Sequence, residues 1–103
     1  MKSFLIRYRF KDGSEADWQK EIAAFIAALD SDPAVVGRIA YRVMKSQKGG
    51  DYFHLATPLD DQAAAILGQQ DFFKRYTERN RLISGGEVEV TPLEVVAATK
   101  ARA

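Results

Sequence analysis

RIAYRVMKSQKGGDYFHLAT, residues 38–57, is the stretch that determines the fold. Apolar and polar residues alternate on both sides of a short connection that carries Lys48, Gly49 and Gly50. Period-two alternation is typical of β-strands, and paired glycines supply the positive φ angles that a tight turn requires. The stretch therefore predicts a β-hairpin in the middle of the chain.

A strand and a helical segment are predicted around this hairpin. Before it, residues 3–10 alternate as a strand, and residues 15–29 carry apolar side chains at helical spacing. After it, a helical stripe over residues 57–83 shifts phase at residues 68–70, and residues 87–99 contain a final strand. This order predicts an α+β chain with the ferredoxin-like βαββαβ arrangement, an antiparallel sheet with the helices on one face.

Size and composition exclude several classes of protein. The 103 residues predict one domain over residues 1–103, and the nearly balanced charge, +1 overall, offers no basic cluster for nucleic acid or an anionic membrane surface. No apolar run approaches the ~20 residues that cross a bilayer. Cysteine is absent and His54 is the only histidine, so thiolate chemistry is excluded and no metal site is expected. We expect a cytoplasmic protein with no nucleic-acid or membrane partner.

Alternation along the strands divides the predicted sheet into two faces. The helices should cover the more apolar face, formed by Phe4, Ile6, Tyr8, Ile39, Tyr41, Val43, Phe53, Leu55, Val88 and Val90. The other face should carry Leu5, Met44, Tyr52, His54 and Ala56, with Arg7 and Arg9 facing Glu87 and Glu89 across strands. Because this face leaves much apolar area in water, we expect a second copy of the chain to cover it in a homodimer.

Four segments resemble one known family. They are IRYRFKDG (residues 6–13), GRIAYRVMKS (37–46), YFHLATPLDDQAAA (52–65) and EVEVTPLEVV (87–96). Their succession is similar to that of the antibiotic-biosynthesis-monooxygenase-like group of dimeric α+β barrels. The resemblance implies two ferredoxin-like subunits that pair sheet to sheet, with a ligand cavity between the sheet and the helices of each subunit.

The resemblance also implies a function. Some members oxidise aromatic substrates with oxygen and without metal or flavin, so the implied activity is a cofactor-independent monooxygenase acting on a small aromatic or enolic compound, with no cofactor. Haem-degrading members use an asparagine from the first strand, and this strand has none. The alternative is a non-catalytic dimeric barrel that binds a small ligand or has a structural role.

The candidate site residues are aromatic or titratable. We interpret Trp18, Tyr41, Phe73 and Tyr76 as substrate-binding residues, because an apolar pocket with a few hydroxyls suits a planar phenolic compound. The alternative is that these side chains only fill the core. His54 is the candidate catalytic residue, since imidazole transfers protons near neutral pH. Its predicted place on the outer face leaves a second possibility, a hydrogen-bonded histidine in the dimer interface.

Overall fold

The predicted order of elements is confirmed by the computed structural model, which describes residues 1–101. These residues form a four-stranded sheet and three helices. The elements are β1 Lys2–Arg9, α1 Glu15–Ser31, β2 Ile39–Lys45, β3 Asp51–Pro58, α2 Asp61–Gln69, α3 Asp71–Ile83 and β4 Val88–Glu94. Positions 102 and 103 of the predicted domain lie outside the described residues.

All strand pairs are antiparallel, and the strand order is β2-β3-β1-β4. This is the ferredoxin-like arrangement, in which the first and third strands are neighbours at the centre of the sheet. The helices pack on one face, where α1 buries Trp18, Ile22, Phe25 and Leu29, as their helical spacing predicts. Within the described part of the chain, no helix is long and apolar enough to cross a membrane.

The second helical segment is divided into α2 and α3 at the predicted break. Gln70 lies between the two helices with an extended backbone. Asp60 caps α2, because its side-chain Oδ1 accepts a hydrogen bond from the backbone N–H of Ala63 at 2.7 Å. At the far end of α3, Gly85 and Gly86 take positive φ angles of 68° and 81°, which end the helix as predicted. Two short helices therefore cover the sheet in place of one long helix.

The connection inside the central hairpin differs from the prediction. Gly49 and Gly50 do not take positive φ angles. Residues 46–50 join β2 to β3 in a loop that is wider than a two-residue turn. In this loop the hydroxyl of Ser46 accepts a hydrogen bond from the backbone N–H of Lys48 at 3.3 Å. The side chain of Ser46 thus supports a bend that needs no left-handed residue.

The orientation of β3 is the opposite of the predicted one. Tyr52 and His54 face the helices and are buried, whereas Phe53 and Leu55 lie on the outer face. The register confirms this, since His54 lies opposite Ile6 of the inner face of β1. The prediction followed apolarity, but hydrogen bonds satisfy the polar atoms of Tyr52 and His54 inside the protein. The predicted position of His54 on the outer face, in a dimer interface, is therefore wrong.

The outer face of the sheet combines ion pairs with uncovered apolar side chains. Asp51 bonds to Arg7 at 3.0 Å and to Arg9 at 3.1 Å, and hydrogen bonding to Arg7 lowers the pKa of Asp51. Of the predicted pairs across β1 and β4, Arg7 and Glu89 approach each other to 3.9 Å. The apolar side chains that stay partly or largely exposed on this face are Leu5, Met44, Phe53, Leu55 and Leu93.

Replacing Asp60 with alanine should lower the free energy of unfolding by about 1 kcal/mol, and the melting temperature by about 4–8 °C, because α2 loses its cap. Asp61→Ala is the matched control, since its exposed carboxylate makes only a 3.8 Å ion pair with Lys2. Thermal unfolding followed by circular dichroism measures both variants. Equal destabilisation of the two would contradict the capping role of Asp60.

Candidate functional site

A buried histidine connects three tyrosines in the layer between the sheet and the helices. His54 has no exposed surface (0%), and its Nε2 lies 2.7 Å from the hydroxyl of Tyr8. Its Nδ1 lies 2.7 Å from the hydroxyl of Tyr41 and 3.3 Å from that of Tyr76. Trp18 donates from Nε1 to the hydroxyl of Tyr8 at 2.9 Å. These five residues are the His54 cluster.

The hydrogen bonds of the His54 cluster assign its protons. Indole can only donate, so the oxygen of Tyr8 accepts from Trp18. Tyr8 is 2% exposed, so its hydroxyl hydrogen needs an acceptor inside the protein, and we assign it to Nε2 of His54. A neutral imidazole that accepts at Nε2 carries its proton on Nδ1. His54 therefore donates from Nδ1 to Tyr41, and Tyr41 keeps its own hydroxyl hydrogen for another acceptor.

Burial keeps this cluster neutral at physiological pH. Loss of hydration lowers the pKa of His54 from 6.5 to about 4, because the imidazolium ion is poorly solvated inside the protein. Burial also raises the pKa of the tyrosine hydroxyls of Tyr8, Tyr41 and Tyr76 above their ordinary value of 10. The cluster thus presents neutral donors and acceptors whose directions are fixed.

Aromatic contacts hold the rings of Tyr41 and Tyr76 in place. Tyr76 is stacked between Trp18 and Phe25, with ring centroids 5.2 Å and 3.9 Å apart. Phe25 also meets Tyr41 edge to face, with centroids 5.1 Å apart. Such contacts stabilise the arrangement beyond the burial of apolar area alone. The two hydroxyls are therefore positioned by α1 and α3 as well as by His54.

An apolar cavity of about 490 Å³ lies beside the His54 cluster, between the sheet and helices α2 and α3. Its sheet wall includes Phe4, Ile6, Tyr41, Ala56 and Val88. Its helical wall includes Leu67, Phe73, Tyr76, Thr77, Asn80 and Arg81. Tyr41 and Tyr76 belong to both the wall and the cluster, so a molecule in the cavity would lie within reach of residues that His54 binds.

A second concavity, an open groove of about 810 Å³, lies between α1 and α3. Charged surface side chains border it, and two of them, Glu21 and Arg79, pair with each other at 3.1 Å. Tyr76 is the one residue of the His54 cluster that borders this groove. The smaller cavity contacts the cluster at both Tyr41 and Tyr76 and is the better candidate for a binding site.

The structure brings together three of the four residues predicted to bind substrate. Tyr41, Phe73 and Tyr76 line the cavity, whereas Trp18 does not. Trp18 is 1% exposed, and its indole N–H is already bound to Tyr8. Binding by the three lining residues stays a prediction.

His54, the predicted catalytic residue, is not part of the cavity wall. It reaches the cavity only through the hydroxyls of Tyr41 and Tyr76, so a role in catalysis would be indirect. Tyr8 was predicted on the inner face of the sheet but not among the substrate-binding residues, and Asn80 was not predicted at all. Alternation places Tyr8 on the inner face, which was a usable signal, but a lone asparagine in a helix forms no pattern.

Among residues 1–101, no three His, Cys, Asp or Glu side chains lie together as a metal ion would require.

Comparison with protein-family models finds no match, and comparison with curated proteins finds none either. Solved structures do match. SnoaB, a cofactor-independent oxygenase from Streptomyces nogalater, superimposes with a TM-score of 0.75 at 17% identity, over 97% of each chain. A candidate antibiotic biosynthesis monooxygenase from Caulobacter crescentus gives a TM-score of 0.77 at 17% identity, over 93% of this chain and 90% of that one.

The chain shares the ferredoxin-like α+β fold of these structures. A dimeric ferredoxin-like protein of unknown function from Jannaschia shares it, with a TM-score of 0.69 at 14% identity, over 92% of this chain and 100% of that one. The resemblance seen in the sequence is thus confirmed for the fold. Sequence identities this low carry no residue roles from one protein to another, so the function must be argued from the cavity itself.

Acidification should destabilise the folded chain through His54. The unfolded chain binds the proton near pH 6.5, but the folded chain binds it only near a pKa of about 4. The free energy of unfolding should therefore fall by roughly 2 kcal/mol between about pH 7 and about pH 5, and this contribution should be constant at higher pH. Urea unfolding at the two pH values measures the change.

His54→Gln is the control for this measurement, because it keeps a hydrogen-bonding side chain that does not titrate. His54 is the only histidine, so the variant should lose most of the change in this pH range. The carboxylate of Asp51, whose pKa is lowered from 3.8 by Arg7, contributes only at more acidic pH. If the wild-type protein were equally stable at both pH values, His54 could not be the neutral buried group described here.

Proposed function

We propose that the protein binds a small aromatic or enolic compound in the cavity beside the His54 cluster and oxidises it with molecular oxygen, without a cofactor. The observation that carries the proposal is an apolar cavity of about 490 Å³ whose wall includes Tyr41 and Tyr76, two tyrosines with hydroxyls that lie within 3.3 Å of His54 Nδ1. Ligand pockets of roughly 300–1,000 Å³ with apolar walls and few polar groups suit compounds of this kind. The shared fold with SnoaB supports the same activity by analogy.

Tyr41 is the residue that we expect to contact the reacting part of the ligand. Since His54 donates to its oxygen, the hydroxyl hydrogen of Tyr41 is available for a carbonyl or enolate oxygen of the ligand. A donor held in place inside an apolar site stabilises the negative charge of an enolate. The ketone gives its proton to solvent water as it enters the cavity, because no residue of the described wall is a base. His54 acts in this scheme as a positioning residue, because it fixes the direction of the Tyr41 hydroxyl.

The oxidation follows from the chemistry of the enolate. Its carbon adds O₂ to give a peroxide anion, which takes back a proton from solvent to form a hydroperoxide. The hydroperoxide then loses water to leave a new carbonyl group. One oxygen atom enters the product and the other leaves as water. Oxidation of the methylene group to a carbonyl supplies the two electron pairs that reduce O₂, so no external reductant is required. The apolar walls exclude water from the reactive carbon while the ligand is bound.

A non-catalytic binding function is the second candidate, and one observation favours it. In the described residues, the cavity wall contains no carboxylate and no imidazole that could take a proton from the ligand directly. Both candidates share the binding step and differ in the consumption of oxygen.

Tyr41→Phe should weaken binding of para-methoxyacetophenone about tenfold, because the ketone loses its hydrogen-bond donor while the cavity keeps its shape. Tyr52→Phe is the matched control, since the hydroxyl of Tyr52 donates to Glu15 at 2.6 Å and lies outside the cavity. NMR titration measures the affinities. If the wild-type protein did not bind the ketone, or both variants bound it as the wild type does, the assigned binding site would be wrong.

Oxygen uptake in the presence of anthrone, whose ring methylene is readily enolised, tests the oxidation in the same proteins. If the protein is an oxygenase, the wild type should consume oxygen faster than buffer alone, and Tyr41→Phe should lose this extra consumption. Ligand binding without oxygen uptake would exclude the oxygenase function and support the non-catalytic binding function.

We also propose that two copies of the chain form a homodimer through the outer face of the sheet. This face leaves Leu5, Met44, Phe53, Leu55 and Leu93 without cover, and the ferredoxin-like protein from Jannaschia is dimeric. Covering the central strands would bury this area together with the Asp51 ion pairs.

Leu55→Asp should dissociate the homodimer, because it places a charge in the middle of the proposed interface. Light scattering should give twice the chain mass of 11.5 kDa for the wild type and the mass of one chain for the variant. Leu82→Asp is the matched control, since Leu82 is 55% exposed on α3, away from the sheet. A wild-type protein that is monomeric at high concentration would exclude the homodimer.

A further inference from the structure

Asn80 is a buried polar residue with an unused hydrogen-bonding atom. It lies on the inner side of α3 with 6% of its surface exposed. Its Oδ1 is buried and has no hydrogen-bond partner among residues 1–101. A buried acceptor without a partner destabilises a protein by about 1–3 kcal/mol, so such atoms are rare in folded chains.

The position of Asn80 on α3 would suit an apolar residue. It lies one helical turn after Tyr76 and three residues before Ile83, both of which are buried. A carbonyl oxygen without a partner at such a position breaks the apolar pattern of the helix and does not stabilise the fold. Local exceptions of this kind concentrate at functional sites.

Asn80 is also part of the cavity wall, so a molecule bound in the cavity can donate a hydrogen bond to its carbonyl oxygen. The neighbouring Thr77 lines the same wall, but its hydroxyl already donates to the backbone carbonyl of Lys74 at 2.9 Å. Arg81, the next polar residue of the wall, is largely exposed and can only donate. Asn80 is therefore the buried acceptor that the described helical wall offers to a ligand.

We propose that Asn80 determines specificity by accepting a hydrogen bond from a hydroxyl group of the ligand. The inference rests on the proposed binding function and narrows its ligand class. The ligand carries a carbonyl or enolate oxygen that accepts from Tyr41 on the sheet wall and a hydroxyl that donates to Asn80 on the helical wall. A planar hydroxyaryl ketone has both groups.

The test compares para-hydroxyacetophenone with para-methoxyacetophenone, which have the same ring and carbonyl but differ in the ability to donate. NMR titration should show that the wild-type protein binds the hydroxy compound about threefold to tenfold more tightly. Asn80→Leu should remove this preference, and Thr77→Val should keep it. The melting temperature of Asn80→Leu should not fall, because the substitution removes a buried Oδ1 that has no partner among residues 1–101.

The other outcomes overturn the inference in distinguishable ways. If both ketones bind with equal affinity, or if the preference survives in Asn80→Leu, the binding function stands and the role of Asn80 is wrong. If Asn80→Leu and the smaller Asn80→Ala both unfold at much lower temperature, the amide has a structural role. If neither ketone binds to the wild type, the proposed function itself fails and the inference falls with it.

Discussion

The hydrogen bonds of one neutral imidazole constrain the rest of this structure. His54 is fully buried, so both of its ring nitrogens must find partners inside the protein, and they find Tyr8 on β1 and Tyr41 on β2. Because β3 lies between these strands, one side chain links three neighbouring strands of the sheet. Tyr76 brings α3 to the same ring. Losing the proper partners of His54 would therefore disturb the sheet and the helical layer together.

The same hydrogen bonds set the orientation of the donors beside the cavity. Trp18 donates to Tyr8, Tyr8 to His54 and His54 to Tyr41, so the chain of donors ends at Tyr41, a residue of the cavity wall. Fixed donors in an apolar site stabilise developing negative charge without reorganising at the moment of reaction. The structure thus joins a stabilising network to a proposed catalytic surface. In the proposed function, the buried histidine serves both without touching the ligand.

The sequence predicted the architecture because strand and helix periods are independent of tertiary contacts. The break between α2 and α3 and the order of strands followed from local patterns. The orientation of β3 did not, because Phe53 and Leu55 on one side and Tyr52 and His54 on the other are both compatible with burial. A parity error of one residue exchanges the two faces of a strand. Here hydrogen bonding decides the orientation, and hydrogen-bond partners distant in sequence are invisible in a periodic pattern.

The candidate site was predictable only in part for the same reason. Tyr41, Phe73 and Tyr76 follow from strand and helix faces and line the cavity, but nothing in the sequence shows that Trp18 is sealed behind Tyr8 or that Asn80 lacks a partner.

A crystal structure of the protein with bound para-methoxyacetophenone tests the central claim most directly. Our account predicts the ketone between the sheet and α3, with its oxygen within hydrogen-bonding distance of the Tyr41 hydroxyl. A cavity closed by side chains, with the ketone elsewhere on the surface, would contradict it.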